Sequence, residues 1–487
     1  AFQERSSVFV TRHPNSDELA LGFIAIDKQA AQPGMIEKLP HYGKYSYLSF
    51  VGDAPTNDVK GVWASSDSPL VWLNPERGST RALAGLPAVP ALTELPPKYL
   101  AANLARHVEK LTDAGLLGRG ITQVLSPRDE GIEGAARYIQ GEFRRIGLQA
   151  IGGSYLQTWQ ATLDNGKVQQ LSNLVGLIPG SDPALANQPV VLGAHYDHLG
   201  LDERGIPFPG ADDNASGVAV LIEVAAKLTR AFTPVRPIVI VAFSGEESGL
   251  LGSKHFVSSP PSALGDVGFY AMINLDAVGR LEGRKLQVFG SESAYEWPFM
   301  AQGIGYTIGV ESQLPAQTIA SSDHVSFLNN GVPAIHLFSG LHTDYHRTSD
   351  SAAKLDYEGL SGVASWLEEA AMYLGQRAEP LRVTLANAPV VVAPLGSEER
   401  GASLGTVPDF AYVGAGVRIT GVIPDSAADA VGLRQNDIIL SLNGQTVTDL
   451  QTYSNLLRTY AIGDVVAIEL NRGEENLTVT ATLTARR

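Results

Sequence analysis

The sequence predicts an α/β chain: a mixed, largely parallel sheet flanked by helices, with a smaller β-rich domain after it and a small β-rich region before it. Three observations predict this. Four runs, Pro189 to Ala194, Ile238 to Phe243, Tyr270 to Leu275 and Val332 to Phe338, are apolar on both faces, as strands buried between helices must be. Helical periodicity follows them, over 215–228 and again over 357–374. Beyond 396 the pattern changes to short strands around an Asn443-Gly444 turn, with one amphipathic helix from about Leu450 to Tyr460.

Taken in chain order, residues 1–95 are short apolar runs broken by Gly, Pro and Asn, which reads as an accessory β-rich region. Its aromatic residues Tyr42, Tyr45, Tyr47, Trp63 and Trp72 are expected in a core rather than on a binding surface. Pro87, Pro90, Pro96 and Pro97 punctuate a boundary, after which 99–111 and 134–146 carry helical spacing. The α/β domain is expected over 96–380, a linker rich in Ala, Pro and Val over 381–396, and the last domain over 397–487. A chain of 487 residues is long enough for such a division.

Composition narrows the function classes. With 51 acidic against 36 basic residues and a net charge of -15, the chain repels phosphate backbones, so no nucleic-acid partner is expected. No window approaches eighteen uninterrupted apolar residues, so no membrane span is expected either. The absence of Cys rules out thiolate metal sites and Cys nucleophiles, leaving His and carboxylates to hold any metal. Ala1 is read as the start of a processed product, and the expected setting is secreted or periplasmic.

In an open α/β sheet the chemistry lies outside the carboxyl ends of the strands. There the sequence places His195 and Asp197, then Asp212 and Asp213, then Glu246 and Glu247, then Asp276, and finally His342 and His346. One Asp at a strand end is usually a helix cap or turn residue. Five segments converging are different, because clustered carboxylates repel one another unless cations sit among them. His13, His41, His107, His198, His255 and His336 are read as structural.

The strings Gly193-Ala-His195-Tyr-Asp197, Pro209-Gly-Ala-Asp212-Asp213-Asn-Ala-Ser-Gly217, Gly245-Glu246-Glu247-Ser-Gly249, Asn274-Leu-Asp276, Ser322-Asp-His324 and Asp344-Tyr-His346-Arg-Thr-Ser-Asp350 resemble, in order, those of the M28 metallopeptidases. The resemblance implies a zinc-exopeptidase-like fold and two Zn2+ per chain. It implies that Asp212 bridges the ions, with His195 and Asp276 completing one and Glu247 and His346 the other. Glu246 is then the general base, Asp197 orients the His195 ring, Asp213 shapes the turn, and His324 lies on the substrate side or supports the ligands from behind. His342 is an alternative ligand. Some members place a Tyr where this chain has Ile319, which leaves the oxyanion partner open. The expected activity is removal of N-terminal residues from peptides by water bridged between the zinc ions. Carboxypeptidase, dipeptidase and glutaminyl cyclase-like reactions share the same sheet motifs.

Residues 397–487 resemble a bacterial PDZ domain through Val413-Gly-Ala-Gly416-Val417, Pro424 to Leu433 and Asn436 to Gly444. The expected peptide site lies between strand 417–422 and helix 450–460, with Gly414, Gly416 and Val417 at a carboxylate-binding turn. A peptide C-terminus or a protein segment is the expected partner there.

Overall fold

The computed structural model describes residues 5–13, 19–62, 98–113, 116, 118–121, 130–163, 166–202, 204–315, 322–385, 402–410, 412, 414–473 and 475–485. Trp63, Trp72, the four boundary prolines, Ile319, Val413 and most of the expected linker lie outside the described residues. The chain divides into two compact units, Ala1–Leu95 and Pro96–Arg487.

The first unit holds a four-stranded antiparallel sheet in the order Ala20–Ala25, Ser6–Arg12, Tyr47–Val51, Thr56–Gly61. Met35, from the short helix Gln32–Lys38, packs on Leu48 and Phe50, and Tyr42 and Tyr45 close over that small core as expected of aromatics.

The second unit is built on a nine-stranded mixed sheet. Its centre is parallel: Ala334–Phe338, Ala271–Leu275, Val190–His195 and Ile238–Phe243 lie side by side, all fully buried. Alternation along these strands feeds two cores. Val190, Leu192, Ile238 and Ile240 face one side with helices Ala101–Leu111, Gly217–Ala231 and Tyr357–Gln376. Val191, Val239, Val241 and Met272 face the other with Phe256 and Phe327. Each such side chain contributes about 1.5–3 kcal/mol relative to exposure, which makes the sheet a rigid base for whatever its ends carry. The flanks are antiparallel, through Val168–Ile178 on one side and Leu286–Phe289 on the other. The domain is therefore mixed α/β with a parallel heart.

The C-terminal region is strand-rich, in the order Thr406–Pro408, Val417–Val422, Ile438–Leu442, Val465–Arg472, Glu475–Thr482. Asn443 and Gly444 take φ of 48° and 73° in the hairpin turn that pairs Leu442 with Gln445. Helix Leu450–Arg458 starts at Asp449, whose carboxylate accepts the Thr452 N–H at 2.7 Å.

One expectation is corrected here. Strand Val417–Val422 is not an open edge along its whole length, because Thr406–Pro408 pairs with its Ile419–Val422 part and Ile438 and Ile439 pair with Arg418 and Val417 on the other side. Val417 is buried, and the turn glycine Gly416 donates its N–H to the Thr448 carbonyl at 3.2 Å. Gly414, Gly416 and Val417 lie at the end of the strand that Thr406–Pro408 does not pair with. The sheet's outer strand is Thr406–Pro408, and the Thr406 hydroxyl lies 2.7 Å from that of Tyr453 on helix Leu450–Arg458. The strand was missed because residues 402–408 are short and interrupted by Gly405 and Pro408.

Candidate metal centre

Each central strand ends by delivering a metal-binding type of side chain to the same edge of the sheet. His195 is the last residue of its strand, Asp276 follows Leu275, and Glu246 and Glu247 follow Phe243 after Ser244 and Gly245. The His195 Nε2 lies 3.3 Å from Asp276 Oδ1 and 3.3 Å from Asp213 Oδ1. On the opposite side of Asp213, its Oδ2 lies 2.9 Å from His346 Nε2, which is 3.6 Å from Glu247 Oε2.

Asp213, not Asp212, thus occupies the centre. The turn that presents it begins at Gly210, with φ of 60°, where a Cβ would meet the Asp213 carbonyl at 2.4 Å and the His198 ring at 2.6 Å. Asp213 itself is extended (φ -108°, ψ 90°), which turns its side chain away from that of its neighbour. The Asp212 carboxylate accepts the Gly279 N–H at 2.6 Å through Oδ1, and its Oδ2 is 3.0 Å from His342 Nε2. Asp212 and His342 therefore support the turn and do not join the cluster, which corrects the bridging place expected for Asp212. The backbone N–H groups of Asp212 and Asp213 both donate to Asp350 Oδ2, at 2.9 and 3.3 Å.

His198, expected to be structural, belongs to the site. Its Nδ1 is 2.8 Å from Glu247 Oε1 and 3.9 Å from Asp213 Oδ1. Two sets of ligand atoms result, His195 with Asp213 and Asp276, and His198 with Asp213 and Glu247, each set mutually within 4.8 Å. The test of fit is how these atoms are satisfied. His195 Nε2, Asp276 Oδ1, Asp213 Oδ2, Glu247 Oε1 and both His198 nitrogens are buried without an aligned hydrogen bond, although they lie at such short separations. Buried polar atoms are rarely left so. Imidazole nitrogens and carboxylate oxygens around a shared carboxylate are a donor set that fits zinc.

The charges of the cluster agree. Burial pushes against ionising Asp213, but His195, His346 and His198 hold its carboxyl well below the ordinary range. Burial likewise disfavours a charged His346, yet Glu247 and Asp213 raise it to about 9. The adjacent acids separate. Burial, with Asp276 and Glu247 nearby, pushes Glu246 well up despite His195, whereas His346 and His198 overcome the burial of Glu247 and bring it down. Glu246 lies outside both ligand sets.

Asp197 holds this arrangement in two ways. Its backbone carbonyl lies 3.1 Å from His195 Nδ1, while its carboxylate oxygens accept the N–H groups of Glu246 and Glu247 at 3.1 and 3.3 Å. The His195 ring is therefore oriented by the carbonyl of Asp197, its carboxylate being 3.8 Å away. Burial raises that carboxyl to about 6. His324 is wholly buried and stacks on His336 with ring centroids 4.9 Å apart, and burial lowers it to about 3. It lies in the interior, packed on His336.

Residues 173–371 match the model of peptidase family M28, and residues 373–483 match that of a PDZ domain. The chain carries an M28 peptidase domain followed by a PDZ domain. It is 28% identical over 284 residues to leupeptin-inactivating enzyme 1 of Streptomyces exfoliatus, covering 58% of each chain. It is 30% identical over 221 residues to aminopeptidase YwaD of Bacillus subtilis strain 168, covering 42% of this chain and 45% of that one. The chain thus spans about half the length of these relatives. Among solved structures, the LapA aminopeptidase of Legionella pneumophila aligns over 57% of this chain and 73% of its own at 23% identity. Its TM-score is 0.47.

Ahead of the stretch that matches the family model, Arg119 was also missed. It is wholly buried, donates to the Leu111 carbonyl and, at 2.8 Å, to the Gly210 carbonyl, and so braces the turn that holds Asp213. Burial lowers its guanidinium to about 10 against the pull of Asp213, Asp350, Asp197 and Glu247. Nothing in Gly118-Arg119-Gly120 marks it in sequence, since the contact spans 91 positions.

Proposed function

We propose that this chain is a zinc metallopeptidase that removes N-terminal residues from peptides. The observation carrying the reading is the convergence of two ligand sets on the shared carboxylate of Asp213, with their buried atoms unaligned for hydrogen bonds among themselves. In this reading His195 and Asp276 hold one of two zinc ions, Glu247 with His346 or His198 holds the other, and Asp213 bridges. When bound, two zinc ions supply Lewis-acid polarisation of the scissile carbonyl and acidify a water shared between them.

The chain's own residues supply the rest. Glu246 takes a proton from the attacking water and passes it to the departing amine, a role suited to the one acid of its pair that burial and like charge push up. Asp197 keeps Glu246 and Glu247 in register by accepting both of their N–H groups. Arg119 and Asp350 fix the backbone of the Asp213 turn from below. No covalent intermediate is required.

The division into an accessory region over 1–95, a peptidase domain over 96–380, a linker over 381–396 and a PDZ domain over 397–487 belongs to the same proposal. So does a secreted or periplasmic setting, which a chain without Cys suits. No described helix is long and apolar enough to cross a membrane. The PDZ domain takes a peptide C-terminus or an extended protein segment by strand addition, along the outer strand Thr406–Pro408.

The deciding experiment measures turnover of a panel of aminoacyl anilides, free peptides and N-terminally blocked peptides, alongside the metal content of the protein. Release of N-terminal residues only from unblocked substrates, lost on chelation and restored by zinc, is expected. Equal cleavage of blocked peptides would sink the aminopeptidase direction, and chelator-resistant turnover would sink the metal.

A further inference from the structure

His346 differs from the other cluster residues in how it is held. Its side chain is 31% exposed where those of His195, His198 and Asp213 are 1–2%, and it comes from the loop 339–350 rather than from a strand end. Its φ is 55°, in the left-handed region that disfavours a residue with a Cβ. Such a conformation persists where the surroundings enforce it. What enforces it is a stack. The Tyr345 ring lies against the His346 ring with centroids 4.1 Å apart and planes 15° apart. Tyr345 in turn packs with Leu341 on the buried group Ala277, Phe289 and Phe338.

The last member of that apolar group comes from another domain. Phe410, just past the outer strand of the PDZ domain, stacks on Phe338 with centroids 6.3 Å apart and planes 25° apart. A second contact lies beside it, where a Cβ on Gly421 would meet Thr343 Cγ2 at 3.4 Å. The PDZ domain therefore meets the strand end that leads into the loop carrying His342 and His346, at Phe338, and the loop itself at Thr343.

We propose that Phe410 is a positioning residue for His346, so that the PDZ domain, which contributes no ligand, helps to retain metal at the His346 side of the site. The inference rests on the zinc reading above. Phe410 acts through the Phe338 and Tyr345 rings, which fix the loop and with it the imidazole. The other ligand set, His195 with Asp213 and Asp276, borders the same group through Ala277, next to Asp276, but His195 and Asp276 are held by the ends of buried strands and not by the loop.

The test is zinc binding to the full chain by competition with a chromophoric chelator, for the parent and for Phe410→Ala, Phe410→Leu and Gly421→Val. The parent is expected to bind two ions. Phe410→Ala should weaken one step by roughly 10–100-fold, the range seen when a group supporting a metal ligand is lost, and leave the other step unchanged. Phe410→Leu should recover most of the loss. Gly421→Val, which presses on Thr343 while keeping the phenyl ring, should weaken the same step, and it decides the matter if thermal melting shows Phe410→Ala to be unfolded. Identical binding curves for the parent and a folded Phe410→Ala or Gly421→Val overturn the positioning role. A parent that binds no zinc overturns the proposed function instead.

Discussion

Asp213 in the M28 domain and Asp437 in the PDZ domain are both buried carboxylates, yet their surroundings are opposite. Asp437 Oδ1 accepts from Arg472 Nε at 2.8 Å, and its Oδ2 accepts from Arg472 Nη2 at 2.7 Å and the Arg434 N–H at 2.9 Å. Every oxygen is matched by a fixed donor. Burial pushes its carboxyl up, but Arg472 and the Arg434 N–H hold it below the ordinary range. Asp213 faces imidazoles and further acids that lie close without aligning. Burial of an acid therefore says little by itself. What separates a working centre from a structural ion pair is whether the protein completes the charge with its own donors.

That contrast yields ordered expectations. The largest effect should come from Asp213→Ala, which removes the carboxylate common to both ligand sets and should abolish stoichiometric zinc binding in equilibrium dialysis. Asp212→Ala, acting only on the turn, should cost roughly 10–100-fold in affinity. Equal losses in the two variants would erase the distinction between them. Next, Glu246→Gln should lower turnover by roughly 10²–10⁴-fold while zinc content stays at the parent level. A variant as fast as the parent would remove Glu246 from the chemistry.

On the other side of the comparison, Asp437→Asn should destabilise the PDZ domain by about 1–3 kcal/mol in denaturant unfolding, with zinc binding untouched. Solvent at the partly exposed Arg472 keeps the figure in that range. The smallest effect is on acid stability. Because the folded carboxyl is depressed, its contribution is fully present above the unfolded value of about 3.9 and is lost as pH falls through the folded one. Acidification below about pH 4 should thus weaken the parent domain more than the Asn variant, and parallel pH profiles would show that the pair contributes nothing.

The parts of the fold that depend on local pattern were legible. Runs such as Ile238 to Phe243 are apolar at every position because both faces of the sheet are covered, and the periodicity over 357–374 marks helix Tyr357–Gln376, which buries one face in the core. Strand Val168–Ile178 was not, since its first half alternates polar residues toward solvent while its second half is buried. At the site, the segments were readable and the orientation of side chains was not. Asp212 and Asp213 are identical in type, and only the φ and ψ set by Gly210 and the braces from Arg119 and Asp350 decide which one faces the cluster. His198 escaped for a related reason: it lies beyond the strand end, where no periodicity says which way a side chain points.

Asp350 binds the amides of Asp212 and Asp213 from a position 137 or 138 residues further along the chain, and belongs to the same loop as His346. Those two N–H groups are therefore a natural clock for the site. They can trade hydrogen for deuterium only when the loop lifts away, so their exchange lifetimes time how often the site opens at its own centre, without a probe attached anywhere else.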